Sequence, residues 1–285
     1  MKKKSFYQLV ALCIVSTAGF GIYFQCNRLL IIRLKPRYCG MGNQMFRYAA
    51  GMGLAERNPD FYVCWHGWDS QETQHPNSFF LSHMDPITIL PECPFWTALM
   101  GELLLAHFAP PFSKYIPFAP NPVSGSSTIV TGEMEVFRYF PSGEPLFHLK
   151  AYHAARRWML ERNLTSAIHV RRGDYASYGY AAPLGFFMRN MVPRAVVVTD
   201  DPNWVKFHRS VFEHCVLSED HDPGFDMALL AAATDTVVIG EGTFAWWGAY
   251  LSKARRVVYY GRQAGYQTSA YVESDRMPAA WFKRY

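Results

Sequence analysis

Four short runs rich in β-branched residues punctuate the second half of this chain, and they constrain its fold more than any other feature. They are Ala167–Val170, Ala195–Thr199, Val237–Ile239 and Arg256–Tyr260. Helical stretches lie between them, among them Asp226–Ala233 and Phe244–Ser252. Strands that alternate with helices imply parallel pairing, because a parallel crossover needs a helix-length connection. The first half repeats the pattern more loosely: Leu29–Leu34 reads as a buried strand, Met45–Arg57 as a helix, Phe61–Trp65 and Ser127–Thr131 as further strands. Residues 85–125 are dense in proline around a short helix near Phe95–Phe108, and Leu146–Arg162 reads as a helix. The class is therefore α/β. We expect two domains facing a cleft, 28–145 and 146–285, with a site formed by loops at the carboxyl ends of the strands.

The N-terminus stands apart. Phe6 to Phe24 carries no charge over 19 residues and follows Lys2, Lys3 and Lys4. At 1.5 Å per residue it would reach about 28 Å, near the thickness of a bilayer's hydrocarbon core. Residues 1–27 read as a cytoplasmic tail with a signal anchor, or as a signal peptide cut after Ser16 and Ala18. Residues 1–37 hold seven basic and no acidic residues, so the net charge of +5 belongs to this end. The remainder has 21 basic against 23 acidic residues, which excludes a nucleic-acid-binding surface. Both N-terminal readings place the body in an oxidising compartment. Cys26, Cys39, Cys64, Cys93 and Cys215 are too widely spaced for zinc or redox motifs, and one or two disulfides are open to them. Asn163-Leu164-Thr165 is a glycosylation sequon.

Several stretches can carry chemistry. Gly40–Gln44 lies between a strand and a helix, where glycines admit a phosphate to backbone N–H groups or simply close a tight turn. It lacks the third glycine of a dinucleotide fingerprint. His169-Val170-Arg171-Arg172-Gly173-Asp174 delivers two guanidinium groups to a strand end, where they suit an anion or a surface ion pair. Asp200 and Asp201 end the strongest strand; one of them is expected to cap the next helix. Asp226 opens an apolar helix. Gly240–Gly248 again reads strand, glycine loop, helix, with Thr243 offering a hydroxyl and Trp246-Trp247 by default core. Asp220-His221-Asp222 forms a D-x-D in a polar loop, better read as solvated than as a metal site. No G-x-S-x-G elbow is present, which disfavours a serine hydrolase. Trp65, His66, Trp68, His75 and His83 could meet a sugar, although core packing serves equally well.

Taken together and in order, these stretches resemble the α-1,2-fucosyltransferases, inverting enzymes that move L-fucose from GDP-fucose to O2 of a terminal galactose. The resemblance rests on GMGNQMFRYAAGMGLA (40–55), TGEMEVFRYF (131–140), HVRRGDY (169–175), VVVTDDPNWV (196–205), FDMALL (225–230), GTFAWWGAYL (242–251) and a closing PAAW (278–281). It implies a GT-B-like fold of two Rossmann-type halves, no metal or other cofactor, a galactose-terminated glycan as acceptor, and a Golgi membrane protein of single-pass type II topology. It assigns Arg171 to the β-phosphate and His169 and Asp226 to the nucleoside. Gly40, Met41, Gly42, Asn43, Gln44, Thr243, Phe244, Ala245 and Trp246 would form the two pyrophosphate-side loops, with Arg172 and Asp200 completing the donor set. Asp174 is the candidate general base, ahead of Glu133 and Glu135, or else orients the arginines. Cys39, Glu241 and Ala245 depart from the family pattern. A different linkage, a protein acceptor and a non-catalytic glycan binder are the alternative outcomes.

Overall fold

The computed structural model describes residues 28–34, 40–67, 80–104, 128–130, 137–143, 146–219, 222–260 and 277–284. They fall into two compact units, each discontinuous in sequence. One gathers the described residues among Met1–Lys35, Phe46–Trp68 and Thr88–Ser142; the other those among Pro36–Met45, Asp69–Ile87 and Gly143–Tyr285.

In the first unit, β1 (Leu29–Arg33) is flanked in parallel by β2 (Tyr62–His66) and β4 (Thr128–Val130). Four consecutive buried residues, Leu29 to Ile32, explain why β1 takes the centre. The helix Met41–Arg57 supplies this unit from Phe46 onward. Arg47 is fully buried there, and its Nη1 donates to the carbonyls of Leu34 at 2.9 Å and Arg33 at 3.4 Å, at the end of β1. Gly51 and Gly53 admit close neighbours. A Cβ at Gly51 would meet Ile32 at 2.8 Å, and one at Gly53 would run into the backbone of Tyr139 and Phe140. Arg57 fixes the same two residues by donating to both their carbonyls. Cys64 in β2 forms a disulfide with Cys93. Cys26 and Cys39 lie outside the described residues, and Cys215 is a half-buried free thiol whose pKa burial pushes up to about 11.

The second unit is built on β6 (Ser166–Val170), β7 (Ala195–Thr199), β8 (Cys215–Leu217), β9 (Thr236–Ile239), β10 (Arg256–Tyr260) and β11 (Phe282–Arg284). All pair in parallel, in the order β11-β10-β9-β6-β7-β8. Every residue of β6, β7 and β9 is buried, as continuous apolar runs covered on both faces require. The helices Pro223–Ala231 and Thr243–Leu251 are buried along most of their length. A small antiparallel pair, β3 (Met84–Pro86) with β5 (Phe147–Leu149), completes the unit.

Two expectations change. Leu146–Arg162 is not one helix: Phe147–Leu149 is a strand with Phe147 and Leu149 buried on one face, and the helix spans Tyr152–Glu161. The Gly40–Gln44 segment is not a loop either, since the helix begins at Met41 and the N–H groups of Asn43 and Gln44 already turn back to the Gly40 carbonyl. Among the described residues no helix is long and apolar enough to cross a membrane, and Phe6–Phe24 lies outside them.

The Cys64–Cys93 bridge closes a loop with a sequence separation of 29. Chain-entropy arithmetic gives such a crosslink about 3–4 kcal/mol through the unfolded state. The double replacement Cys64→Ser/Cys93→Ser should lower the urea midpoint accordingly. A loss below about 1 kcal/mol would show that the bridge constrains little.

Candidate active site

The site sits where the sheet's strand order diverges. From β6 the chain proceeds to β7 on one side, whereas β9 is followed by β10 on the other. Loops leaving β6 and β9 therefore part company and open a crevice at their carboxyl ends, the usual ligand position in an open α/β sheet.

The β6 end is held by hydrogen bonds to the neighbouring strand. Thr199 Oγ1 donates to the Val170 carbonyl at 2.8 Å and accepts from Asp201 N at 3.0 Å. Asp201 caps the helix Pro202–Phe207 through Trp204 N, so it is the capping aspartate and Asp200 is left for the site. Asp200 makes two bonds. Its Oδ2 accepts from Arg171 Nη1 at 2.5 Å and its Oδ1 from the Arg172 backbone N at 2.7 Å. Arg171 Nη2 donates to Asp174 Oδ1 at 2.5 Å, and the guanidinium lies over the Tyr175 ring, 5.1 Å from its centre. These bonds use two of an arginine's five N–H donors. Arg172 turns elsewhere and stacks on Trp204 at 4.6 Å. Gly173 is a steric requirement, because a Cβ there would come within 2.5 Å of Asp200 Oδ2.

The β9 side supplies a helix N-terminus. Gly242 adopts φ 101°, a conformation side chains resist, and as the N-cap of the helix Thr243–Leu251 it offers no capping side chain. Thr243 Oγ1 donates to Asn43 Oδ1 at 2.5 Å, and Trp247 Nε1 donates to the Gly42 carbonyl at 3.0 Å. A Cβ on Gly42 would strike the Thr243 backbone at 2.5 Å. Gly42 is thus a glycine for the sake of another chain segment, not of a phosphate. Gly40 differs, since nothing lies within 4 Å of a Cβ built there.

Other assignments shift for similar reasons. Met41 and Gln44 are buried, Gln44 Oε1 accepting from Phe80 N at 3.3 Å, so their side chains belong to the packing. Ala245 and Trp246 are also core: the Trp246 ring stacks on Tyr250 at 4.8 Å, and the Trp246 backbone N–H donates to the Gly242 carbonyl. Phe244 meets His169 ring to ring at 5.7 Å. His169 is buried, and its pKa falls to about 3, first through burial and then through the Arg171 charge. It is a neutral wall, not a cation. Asp226, in the first turn of its helix, accepts from Ser218 Oγ at 2.7 Å. Ser218, which no sequence pattern singled out, hangs from β7 through Val197. Asp222 caps the Pro223–Ala231 helix through Gly224 N. No group of three His, Cys, Asp or Glu residues converges as a metal site among the described residues. Trp65 and His66 serve packing: Trp65 Nε1 donates to Leu90 O, and His66 is buried. Asn163 is exposed at a turn with φ 55°. Glu133, Glu135, Asp220, Trp68 and His75 lie outside the described residues.

Comparison with known proteins places these features in context. Residues 153–265 match the model of Glycosyl transferase family 11. A galactoside 2-alpha-L-fucosyltransferase of Caenorhabditis elegans is 29% identical over 145 residues, 43% of this chain and 40% of that protein. A second protein of that organism, the putative galactoside 2-alpha-L-fucosyltransferase svh-11, is 26% identical over 151 residues, 42% of this chain and 41% of its own length. The chain thus spans about two fifths of the curated relatives it matches. Among solved structures, NodZ α-1,6-fucosyltransferase co-crystallised with GDP shares the mixed α/β fold, with a TM-score of 0.50 at 14% identity over 82% of this chain and 95% of its own.

The buried His169 makes a prediction about acid stability. Between pH 6.5 and about 3 the unfolded chain binds a proton there that the folded chain refuses, so stability falls as pH falls through that window. His169→Gln should show a shallower loss of urea midpoint from pH 7 to pH 4 than the parent. Parallel curves would remove His169 as the source.

Proposed function

We propose that this chain is an inverting α-1,2-fucosyltransferase, transferring L-fucose from GDP-β-L-fucose to O2 of a terminal β-galactose. The observation that carries the reading is the Arg171 guanidinium, held by Asp200 and Asp174 at the β6 end with donors to spare. In the reaction the bond from fucose C1 to the β-phosphate oxygen breaks, and its electron pair leaves with GDP. Negative charge accumulates on the diphosphate while the sugar becomes oxocarbenium-like. Arg171 and the first N–H groups of the Thr243–Leu251 helix are fixed before the charge develops, which is what electrostatic catalysis needs. The acceptor O2 forms its bond to C1 from the opposite face, turning a β-linked donor into an α-linked product, and its proton goes to a base. Asp174 is our candidate, although its bond to Arg171 gives it an orienting role as well. Asp226 and His169 line the nucleoside side. We write the reaction without a metal or other cofactor.

The same proposal takes 146–285 as the GDP-fucose domain and 28–145 as the acceptor-side domain. It places the body in the Golgi lumen behind an N-terminal anchor of type II topology, with Asn163 glycosylated. The Cys64–Cys93 disulfide suits that compartment. GDP in the NodZ crystals supports a GDP-linked donor. That relative's α-1,6 linkage makes linkage analysis of the product, after incubation with GDP-fucose and a panel of β-galactosides and peptides, the deciding experiment.

Arg171→Ala should lower kcat by at least about a hundredfold, the scale of losing one oxyanion-type donor, with unchanged thermal stability. Arg171→Lys should recover little, since a point charge cannot bridge two carboxylates and a phosphate. Asp200→Asn should reduce kcat more than it raises the donor KM, because it frees the guanidinium rather than removing it. Full turnover in Arg171→Ala would overturn the leaving-group role.

A further inference from the structure

Immediately beyond Asp174 the chain reads Tyr175-Ala176-Ser177-Tyr178-Gly179-Tyr180, three phenol rings separated only by small residues. A single helical turn, Gly173–Ser177, starts the segment, and a turn with Gly179 at φ 70° ends it. The Tyr180 and Ala181 N–H groups both donate to the Tyr175 carbonyl, at 2.9 and 3.2 Å, which folds the segment back on itself. The rings consequently meet: Tyr175 and Tyr180 at 6.1 Å edge to face, Tyr180 and Tyr178 at 5.9 Å. Tyr175 is the ring beneath Arg171, and Tyr178 at the far end is 64% exposed. A row of aromatic surface thus runs outward from the guanidinium, on a backbone stiffened by its own hydrogen bonds.

We infer that Tyr178 and Tyr180 form the stacking platform for the terminal β-galactoside of the acceptor. The inference rests on the fucosyl-transfer reading and refines its division of labour: the acceptor's terminal sugar is met by the donor domain, and 28–145 is left the remainder of the glycan. A β-galactopyranose has one face made of C–H bonds at C3, C4 and C5, while its hydroxyls project from the edge and the other face. Such a molecule is recognised by a flat aromatic ring flanked by polar groups, and tyrosine supplies both in one side chain with little conformational freedom to lose. The Ala176 and Ser177 side chains are too short to screen the rings, and Gly179 has none. Position agrees with chemistry, because the nucleophile must reach the carbon whose leaving group Arg171 holds, and this row begins at Arg171. Among the described residues, the aromatic candidates of the first unit, Trp65 and His66, are spent on packing.

The test uses the full chain and methyl β-D-galactopyranoside, titrated by NMR against ring-labelled tyrosine, alongside GDP binding by calorimetry. Tyr178→Ala should weaken galactoside binding and raise the acceptor KM by about tenfold, the scale of one lost aromatic contact, with kcat within about twofold and GDP affinity unchanged. Tyr178→Phe, which keeps the ring, should stay close to the parent, and Tyr180→Ala should behave like Tyr178→Ala. Equal galactoside affinity in parent and Tyr178→Ala overturns the platform. A parent that perturbs Tyr178 with the galactoside yet transfers no fucose overturns the enzyme reading and leaves the platform standing.

Discussion

A single carboxylate fixes the chemistry of this molecule in space. Asp200 accepts from the Arg171 side chain and from the Arg172 main chain, so the guanidinium cannot move without disturbing the β6–β7 junction. That junction is in turn set by register, with Val170 opposite Thr199 and a hydroxyl bond tying the two. A slip of one residue would turn every side chain to the other face, and the continuous burial of both strands forbids it. Positioning of the Arg171 guanidinium is thus inherited from the packing of the sheet. Two carboxylates, Asp174 and Asp200, are in contact with this one cation and orient it.

Much of the second unit was legible in its sequence, since runs such as Ala195–Thr199 are long, β-branched and bounded by clear turn residues. The short strands were not. Phe147–Leu149 alternates over only three residues and runs into a helix, so periodicity alone blends the two. Cys215–Leu217 is a half-buried edge strand and gives no more signal. Among the candidate residues, the placement of Arg171 just beyond a strand end and of Asp174 and Thr243 in the first turns of helices was legible. The packing roles of Gly42 and Trp246 were less so. A motif shared by a family mixes residues that touch ligand with residues that hold those residues in place, and sequence does not separate them. Gly42 yields to the Thr243 backbone and Trp246 fills an aromatic cluster, so both act at one remove. Ser218 was invisible because its partner, Asp226, lies across a turn whose geometry only the fold defines.

The first unit solves a different problem. Its three-stranded sheet is small, and it is braced at several points: the Arg47 guanidinium under the end of β1, Arg57 on the Tyr139 and Phe140 carbonyls, and the disulfide to Cys93. Arginine suits these places because one fork of donors can reach two carbonyls at once. Gly51 and Gly53 sit on the same helix and let it approach β1 and the Tyr139–Phe140 segment closely. The unit is therefore held by point contacts as much as by apolar area, in contrast to the valine-rich sheet of its companion.

One feature of the anion-binding corner bears on how the protein is made. The partners Asn43 and Thr243 are separated by 200 positions, and Gly42 and Trp247 by 205. A ribosome adding about 5–20 residues per second delivers the second member of each pair many seconds after the first. Until then the start of the Met41–Arg57 helix waits without the segment that completes it. This corner is consequently among the last contacts the nascent chain can form, and a polypeptide released early carries its arginine motif without it.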